Sequence, residues 1–290
     1  MRTAILTDSN SGIFQKEAEE LGIFTIAMPV IIDGAIRFEG IDIDEREFFA
    51  LMSSGRNIST SMPSPGEVTD MWDKILAQGY DELVYIPMSS GLSNSCQSAK
   101  ALADDYEGKV WVADNHRISV TMRTSVMEAR ELALMGKSAE QITTYLEDTG
   151  FENSSIYITC DTLKYLLKGG RVTPAAATFA SILNIKPVLT IQGEKLDAFS
   201  KVRGIKKARQ VMVDSIMADR KKRFKDVPDE RIRIGAAGSG LSEIQAEEWR
   251  MQLQREFPGV EVYYNPLSLS VDTHIGPGGY GCGISIFGEL

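Results

Sequence analysis

From Thr3 to about Gly150 the chain alternates short apolar, β-rich runs with longer segments of helical character. Thr3 to Leu6, Leu83 to Ile86 and Val110 to Ala113 are runs of the first kind. Phe14 to Leu21, Pro65 to Ala77 and Val120 to Leu134 are segments of the second. A short aliphatic run bounded by turn residues reads as a strand buried on both faces. A strand, then a helix, then a strand brings each new strand back parallel to the last. The first half is therefore restricted to a parallel sheet with helices on both faces.

Local signals agree with this order. Gly22 closes the first helix, and Asp33-Gly34 reads as a hairpin turn between Phe24–Ile32 and a returning Ala35–Glu39. Asp44-x-x-Glu47, Ser64-x-x-Glu67 and Ser138-x-x-Gln141 have the spacing of capping boxes, and Pro65 suits a first helical position. Gly136-Lys137-Ser138 resembles the end of a phosphate-binding P-loop, but Glu131 stands where that motif needs glycine and a helix precedes it.

After Gly150 the character changes. Ser155–Thr159 reads as a strand, followed by a helix capped by Asp161 and ending at Gly169-Gly170-Arg171, then an Ala-rich helix from Pro174 to Leu183. Lys186–Ile191, a Gly193-Glu194-Lys195 turn and Leu196–Val202 form a predicted hairpin. A helix over Ile205–Arg220 ends in the basic run Arg220 to Arg223, which suits a helix C-terminus. Strands at Ile232–Ala236, Val260–Tyr264 and Ile284–Phe287 and a helix over Ser242–Glu256 complete the pattern. Hairpins mixed with helices predict a second α/β domain with a mixed sheet, so the expected division is residues 1–150 and 151–290.

Two stretches bear chemistry. Between the strand ending at Ile86 and the helix beginning near Ser95 lies the loop Ser89-Ser90-Gly91-Leu92-Ser93. A strand, a tight loop and a helix start together present free N–H groups and a positive dipole end, which suit a phosphate or a carboxylate. Serine is also a favoured N-cap, so the same hydroxyls could serve the helix alone. Thr60-Ser61-Met62-Pro63-Ser64 is a second hydroxyl-rich helix entrance.

A net charge of −9 lacks the basic footprint of a nucleic-acid-binding domain. With no run of about 18 apolar residues, no membrane span is expected, and membrane contact is at most transient. Asp8 falls where a signal peptide would still be apolar, so the N-terminus reads as a first strand. Cys96, Cys160 and Cys282 are scattered and odd in number, which fits small buried residues in a reducing cytoplasm. Of the two histidines, His116 reads as structural or surface, whereas His274 sits beside Gly276-Pro277-Gly278-Gly279, a backbone built for close approach. Gly276 to Gly281 matches G-x-G-x-x-G literally but opens no helix, so a dinucleotide site is not expected. Ser93, His274 and Asp8 would make a hydrolase triad on paper, without a G-x-S-x-G elbow. No metal-binding spacing occurs. Arg171, Lys186, Lys201, Arg203, Lys206 and Lys207 form either a solvated basic face or a dock for a phosphorylated ligand or acidic partner.

Taken together, Thr7-Asp8-Ser9, Thr60-Ser61-Met62-Pro63-Ser64, Ser89-Ser90-Gly91-Leu92-Ser93 and Leu166-Leu167-Lys168-Gly169-Gly170-Arg171 resemble motifs of the DegV family. Leu183-Asn184-Ile185-Lys186-Pro187, Lys201-Val202-Arg203-Gly204 and His274-Ile275-Gly276-Pro277-Gly278 continue the resemblance in the family's order over the whole chain. That family includes the FakB-type fatty-acid-binding subunits of bacterial fatty acid kinase. The resemblance implies a long-chain fatty acid buried between two α/β domains, with no cofactor. It implies that Thr60 and Ser93 hold the carboxylate, supported by His274, with Ser61, Ser90 and Gly91 nearby. It also implies that Arg171, and Arg203 with it, serve phosphoryl transfer by a separate ATP-dependent kinase that makes an acyl phosphate for phospholipid synthesis. Asn94-Ser95 replaces the family's usual Gly-Thr, and Met62 replaces a polar residue, both beside the expected carboxylate site.

Overall fold

Thr3–Asp8 (β1) is buried at all six positions, as a strand covered on both faces must be. The computed structural model describes residues 2–182, 184–191 and 194–288. Helix α1 (Gln15–Leu21) ends at Gly22, which takes φ 68°, and β2 (Phe24–Ile26) follows. The expected single strand from Phe24 to Ile32 breaks at Ala27–Met28, because the Met28 amide donates to the Ser9 hydroxyl (3.0 Å) and Pro29 has no amide. Strand β3 (Pro29–Ile32) consequently joins a different sheet. Strand β4 (Ala35–Phe38) returns across Asp33-Gly34, both at positive φ as a tight hairpin turn requires.

Helix α2 (Glu45–Ser53) is capped by Asp44, which accepts from the Glu47 amide at 2.7 Å, while the Glu47 carboxylate turns to Arg37. Strand β5 (Ile58–Thr60) pairs antiparallel with β3 and leads to α3 (Pro65–Leu76), where the Ser64/Glu67 capping box is complete. Then come β6 (Glu82–Ile86), α4 (Ser95–Ala103), β7 (Val110–Val112), α5 (Ser119–Leu134) and α6 (Ala139–Gly150), the last behind the Ser138/Gln141 capping box. The main sheet runs β2-β1-β6-β7, all parallel. Trp72 of α3 and Cys96 of α4 pack on one face, and Val126 of α5 and Ile142 of α6 on the other, giving the expected three layers.

The remaining elements are β8 (Ser154–Thr159), α7 (Lys164–Gly169), α8 (Pro174–Ala177), β9 (Lys186–Ile191), β10 (Asp197–Val202) and α9 (Ile205–Lys222). They continue through β11 (Ile232–Ser239), α10 (Glu243–Glu256), β12 (Val262–Pro266), α11 (Leu269–Ile275) and β13 (Gly279–Ile286). The sheet runs β10-β9-β8-β13-β11-β12, with β11 and β12 parallel and the other neighbours antiparallel, so it is mixed as expected. Met212 of α9 and Trp249 of α10 close one face. Helix α5 packs on both large sheets, touching β1 as well as β8, β11 and β13.

Three further expectations need correction. Asp161 does not cap α7: the Lys164 amide goes to Thr162 Oγ1 (3.2 Å), and Asp161 pairs with Lys186. The Ala-rich helix is one turn long before it tightens to a 3₁₀ turn at Thr178–Ser181. There Thr178 and Ser181 hydroxyls bond carbonyls three residues back, a local competitor of helix. Its expected end, Leu183, and Gly193 of the hairpin turn lie outside the described residues. The last strand begins at Gly279 rather than Ile284, and its glycines let Val120 and Thr121 of α5 approach where a Gly283 side chain would stand. The short helix α11, capped by Ser268, was not foreseen.

Candidate functional site

Between the two large sheets lies a cavity of about 290 Å³, near the lower end of ligand pockets. Its apolar floor comes from Ile156 and Ile158 of β8, Ile191 of β9, Ala237 of β11 and Gly281 of β13. Met28, Met88, Leu92, Ile118 and Val120 supply the opposite wall. Polar groups gather at one end: Thr60, Ser93, Arg171 and His274, with Ser61, Met62 and Asn94 beside them.

Each polar group is placed by a different element. Thr60 ends β5, held in register with Val30. His274 lies in the last turn of α11, and its Nε2 is 3.0 Å from Thr60 Oγ1. The ring is pressed against α7: a Cβ built on Gly169 would lie 2.1 Å from His274 Nδ1. Likewise a Cβ on Gly276, just past the end of α11, would lie 2.3 Å from the Tyr165 ring, so a glycine in α7 and one after α11 permit the close approach of the two helices. Burial, and then the Arg171 charge, pushes the His274 pKa down to about 4, leaving a neutral imidazole. A neutral ring offers one donor and one acceptor.

Ser93 combines the two roles that its loop allowed. Its Oγ accepts from the Ser95 amide at the start of α4 (3.2 Å), and the same side chain lines the cavity. A hydroxyl that accepts one bond still has its proton to donate. Ser90 and Gly91 are not among the lining residues. They brace the loop from behind, the Ser90 amide donating to Asp114 Oδ1 and the Gly91 amide to Ser89 Oγ, each at 3.2 Å. Arg171 is half-buried at the cavity's edge. Its Nε donates to the Leu92 carbonyl (3.3 Å) and its Nη1 to the Gly169 carbonyl. Arg203 is exposed, just before α9, and does not line the cavity.

The paper triad is not assembled. His274 is bonded to Thr60, and the Asp8 carboxylate accepts from the Asn10 and Met88 amides, both at 2.9 Å. Among the described residues no group of His, Cys, Asp or Glu is placed to hold a metal ion, and no helix is long and apolar enough to cross a membrane. Met28, Met88, Ser119 and Ser270 were missed as lining residues. The methionines carried a signal in their position, one next to the serine loop and one next to the β3 proline, where a flexible thioether fits an adaptable wall. Ser119 and Ser270 carried none.

A family model described as "Uncharacterised protein, DegV family" matches residues 2–287. A DegV domain-containing protein of Deinococcus radiodurans is 30% identical over 285 residues, covering 97% of this chain and 97% of its own. A solved structure from Thermus thermophilus, described as showing fatty acid binding of a DegV family protein, is 30% identical with a TM-score of 0.87. The match covers 99% of this chain and 100% of that one. The structure of DegV from Bacillus subtilis, described as a fatty acid binding protein, is 27% identical with a TM-score of 0.85 and covers 99% of each chain. In sequence along nearly its whole length and in fold, this chain belongs to the DegV family.

Proposed function

We propose that this protein binds a long-chain fatty acid in the cavity between its sheets and presents the carboxylate to a separate ATP-dependent kinase. The observation that carries the reading is an apolar cavity with hydroxyl and imidazole groups gathered at one end, Thr60 Oγ1 and His274 Nε2 being 3.0 Å apart. A carboxylate brought out of water is costly unless hydrogen-bonded. Thr60 and Ser93 are the donors assigned to it, His274 supporting Thr60 through their 3.0 Å bond, with Ser61 beside them. The acyl chain adds about 0.8 kcal/mol per buried CH₂, so a long chain contributes on the order of 10 kcal/mol before ordering terms. The relatives described as fatty acid binding support the ligand class.

The kinase role rests on Arg171, a cation at the edge of the polar end, with Arg203 on the exposed surface as a second basic contact. In this reading the chain is a carrier and needs no cofactor, and ATP-dependent transfer places it in the cytoplasm. The two sheets draw on separate halves of the chain, residues 3–112 and 154–286, which supports two domains divided near Gly150 with the ligand between them.

Mass spectrometry of lipid extracted from the purified protein tests the ligand: fatty acid in near-stoichiometric amount is expected. A protein that carries none and takes none up would sink the reading. With a cognate kinase, Arg171→Ala should keep fatty-acid binding and lose acyl-phosphate formation. Lost binding with intact transfer would reverse the assignment.

A further inference from the structure

Building on the fatty-acid reading above, we infer that Asn10 is a positioning residue for the cavity, whose carboxamide ties α11, and through it His274, to the turn after β1 and to Met88. Asn10 lies in the 3₁₀ turn Ser9–Ser11 and is 1% exposed. Its Oδ1 accepts from two hydroxyls of the α11 region, Ser268 Oγ at 2.7 Å and Ser270 Oγ at 3.0 Å. Its Nδ2 donates to Met88 Sδ at 3.1 Å. Two of these partners, Met88 and Ser270, line the cavity, and the third caps α11.

Each bond limits a different freedom. Helix α11 has seven residues, too few to hold a helix by itself, so its place is set by tertiary contacts. Among the described residues, its first turn is anchored by Ser268 on Asn10 and by the Leu269 amide on Glu39 (2.9 Å). His274 follows in the last turn, so a displaced start moves the ring that meets Thr60. Met88 would otherwise swing about three side-chain torsions. Here its amide is held by Asp8 and its sulfur by Asn10. A thioether is a weak acceptor, so a donor aimed at it does more to fix the wall than to stabilise the fold. A carboxamide can accept two hydroxyls at its oxygen and donate to a sulfur from its nitrogen.

The test reads the imidazole directly. The chain has two histidines, so ¹⁵N-edited spectra of the ring nitrogens show two spin systems, and His274→Gln assigns them. Asn10→Leu, and the milder Ser268→Ala/Ser270→Ala pair, should shift the His274 signals in lipid-free protein. Both should weaken palmitate binding about tenfold or more. Thr124→Val removes a different buried hydrogen bond, to Ser285 (2.8 Å), away from α11. It should lower stability while leaving the His274 signals and palmitate affinity in place. Unshifted His274 signals in the serine pair, with unchanged affinity, would overturn the positioning role even if Asn10→Leu fails to fold. Signals displaced equally by Thr124→Val would also overturn it, because any loss of stability would then suffice. A wild type that takes up no palmitate would sink the proposed function, while the ring spectra would still decide the role of Asn10.

Discussion

At the scale of single residues, the polar end of the cavity sets weak, neutral groups beside a cation, Arg171. Thr60 and Ser93 can each offer a carboxylate one hydrogen bond, and the uncharged His274, when its Nε2–H donates to Thr60 Oγ1, leaves the Thr60 proton free to do so. Removing one donor to a charged acceptor costs roughly 1.5–3 kcal/mol, one to two decades of affinity. Ser93→Ala and Thr60→Ala should each bind fatty acid more weakly by about that factor, since the apolar wall is untouched. Their double mutant should fall short of the product, because on the proposed reading both hydroxyls serve one carboxylate. Isothermal titration with a single fatty acid checks this. The opposite pattern, full affinity in Ser93→Ala together with ester cleavage by the wild type through an acyl-Ser93 adduct, would make the protein a hydrolase.

At the scale of elements, α11 joins the site to a group of acids, Asp272 buried, Glu39 half-buried and Glu45 exposed. Asp272 is fully buried, and its carboxyl is pushed well above the usual range by burial and by Glu39 and Glu45 nearby. Burial raises Glu39 to about 7 while it accepts from the Leu269 amide. Among the described residues neither is paired with a cation. A folded pKa above the unfolded one means that the native state holds a proton the unfolded chain releases. The Glu39 contribution is therefore whole below about pH 4.5 and lost as pH rises through about 7. His274, depressed to about 4, acts in the opposite direction below about pH 6.5. Comparison with Glu39→Gln cancels that term. The variant should gain on the wild type by on the order of 3 kcal/mol between about pH 4.5 and 8 in denaturant midpoints. A gap that stays level with pH would show that Glu39 is already ionised. None of this was legible in the sequence. The Ser64 and Ser138 capping boxes were, because a cap is a local pattern. Helix α11 and the start of β13 were hidden by glycines whose reason is the approach of α5 and α7, which lie far along the chain. Thr60, Ser93 and His274 share no local spacing either, and the order of the motifs in the family brought them together.

At the scale of the whole molecule, a central strand of the mixed sheet meets the cavity at Gly281, without a side chain. A Cβ on Gly281 would meet Ala237 at 3.5 Å and Ile158 at 3.9 Å, ordinary contact, so the space is open by composition rather than by strain. The folded chain holds a hollow of about 290 Å³ where its core would otherwise be continuous. On the proposed reading the acyl chain completes that core. Ligand present at about a hundredfold its Kd adds about 2.7 kcal/mol to stability. Stripped protein should therefore melt several degrees lower than protein refilled with fatty acid in a calorimetric scan, and equal melting would show that fatty acid does not bind the folded state preferentially. Where a protein opens and closes fast relative to cleavage, a cell's proteases cut it in proportion to the population of its opened form. Empty copies would be cleared faster than loaded ones, so that the lifetime of this chain, and with it the standing number of carriers, would follow the supply of cargo with no dedicated regulator.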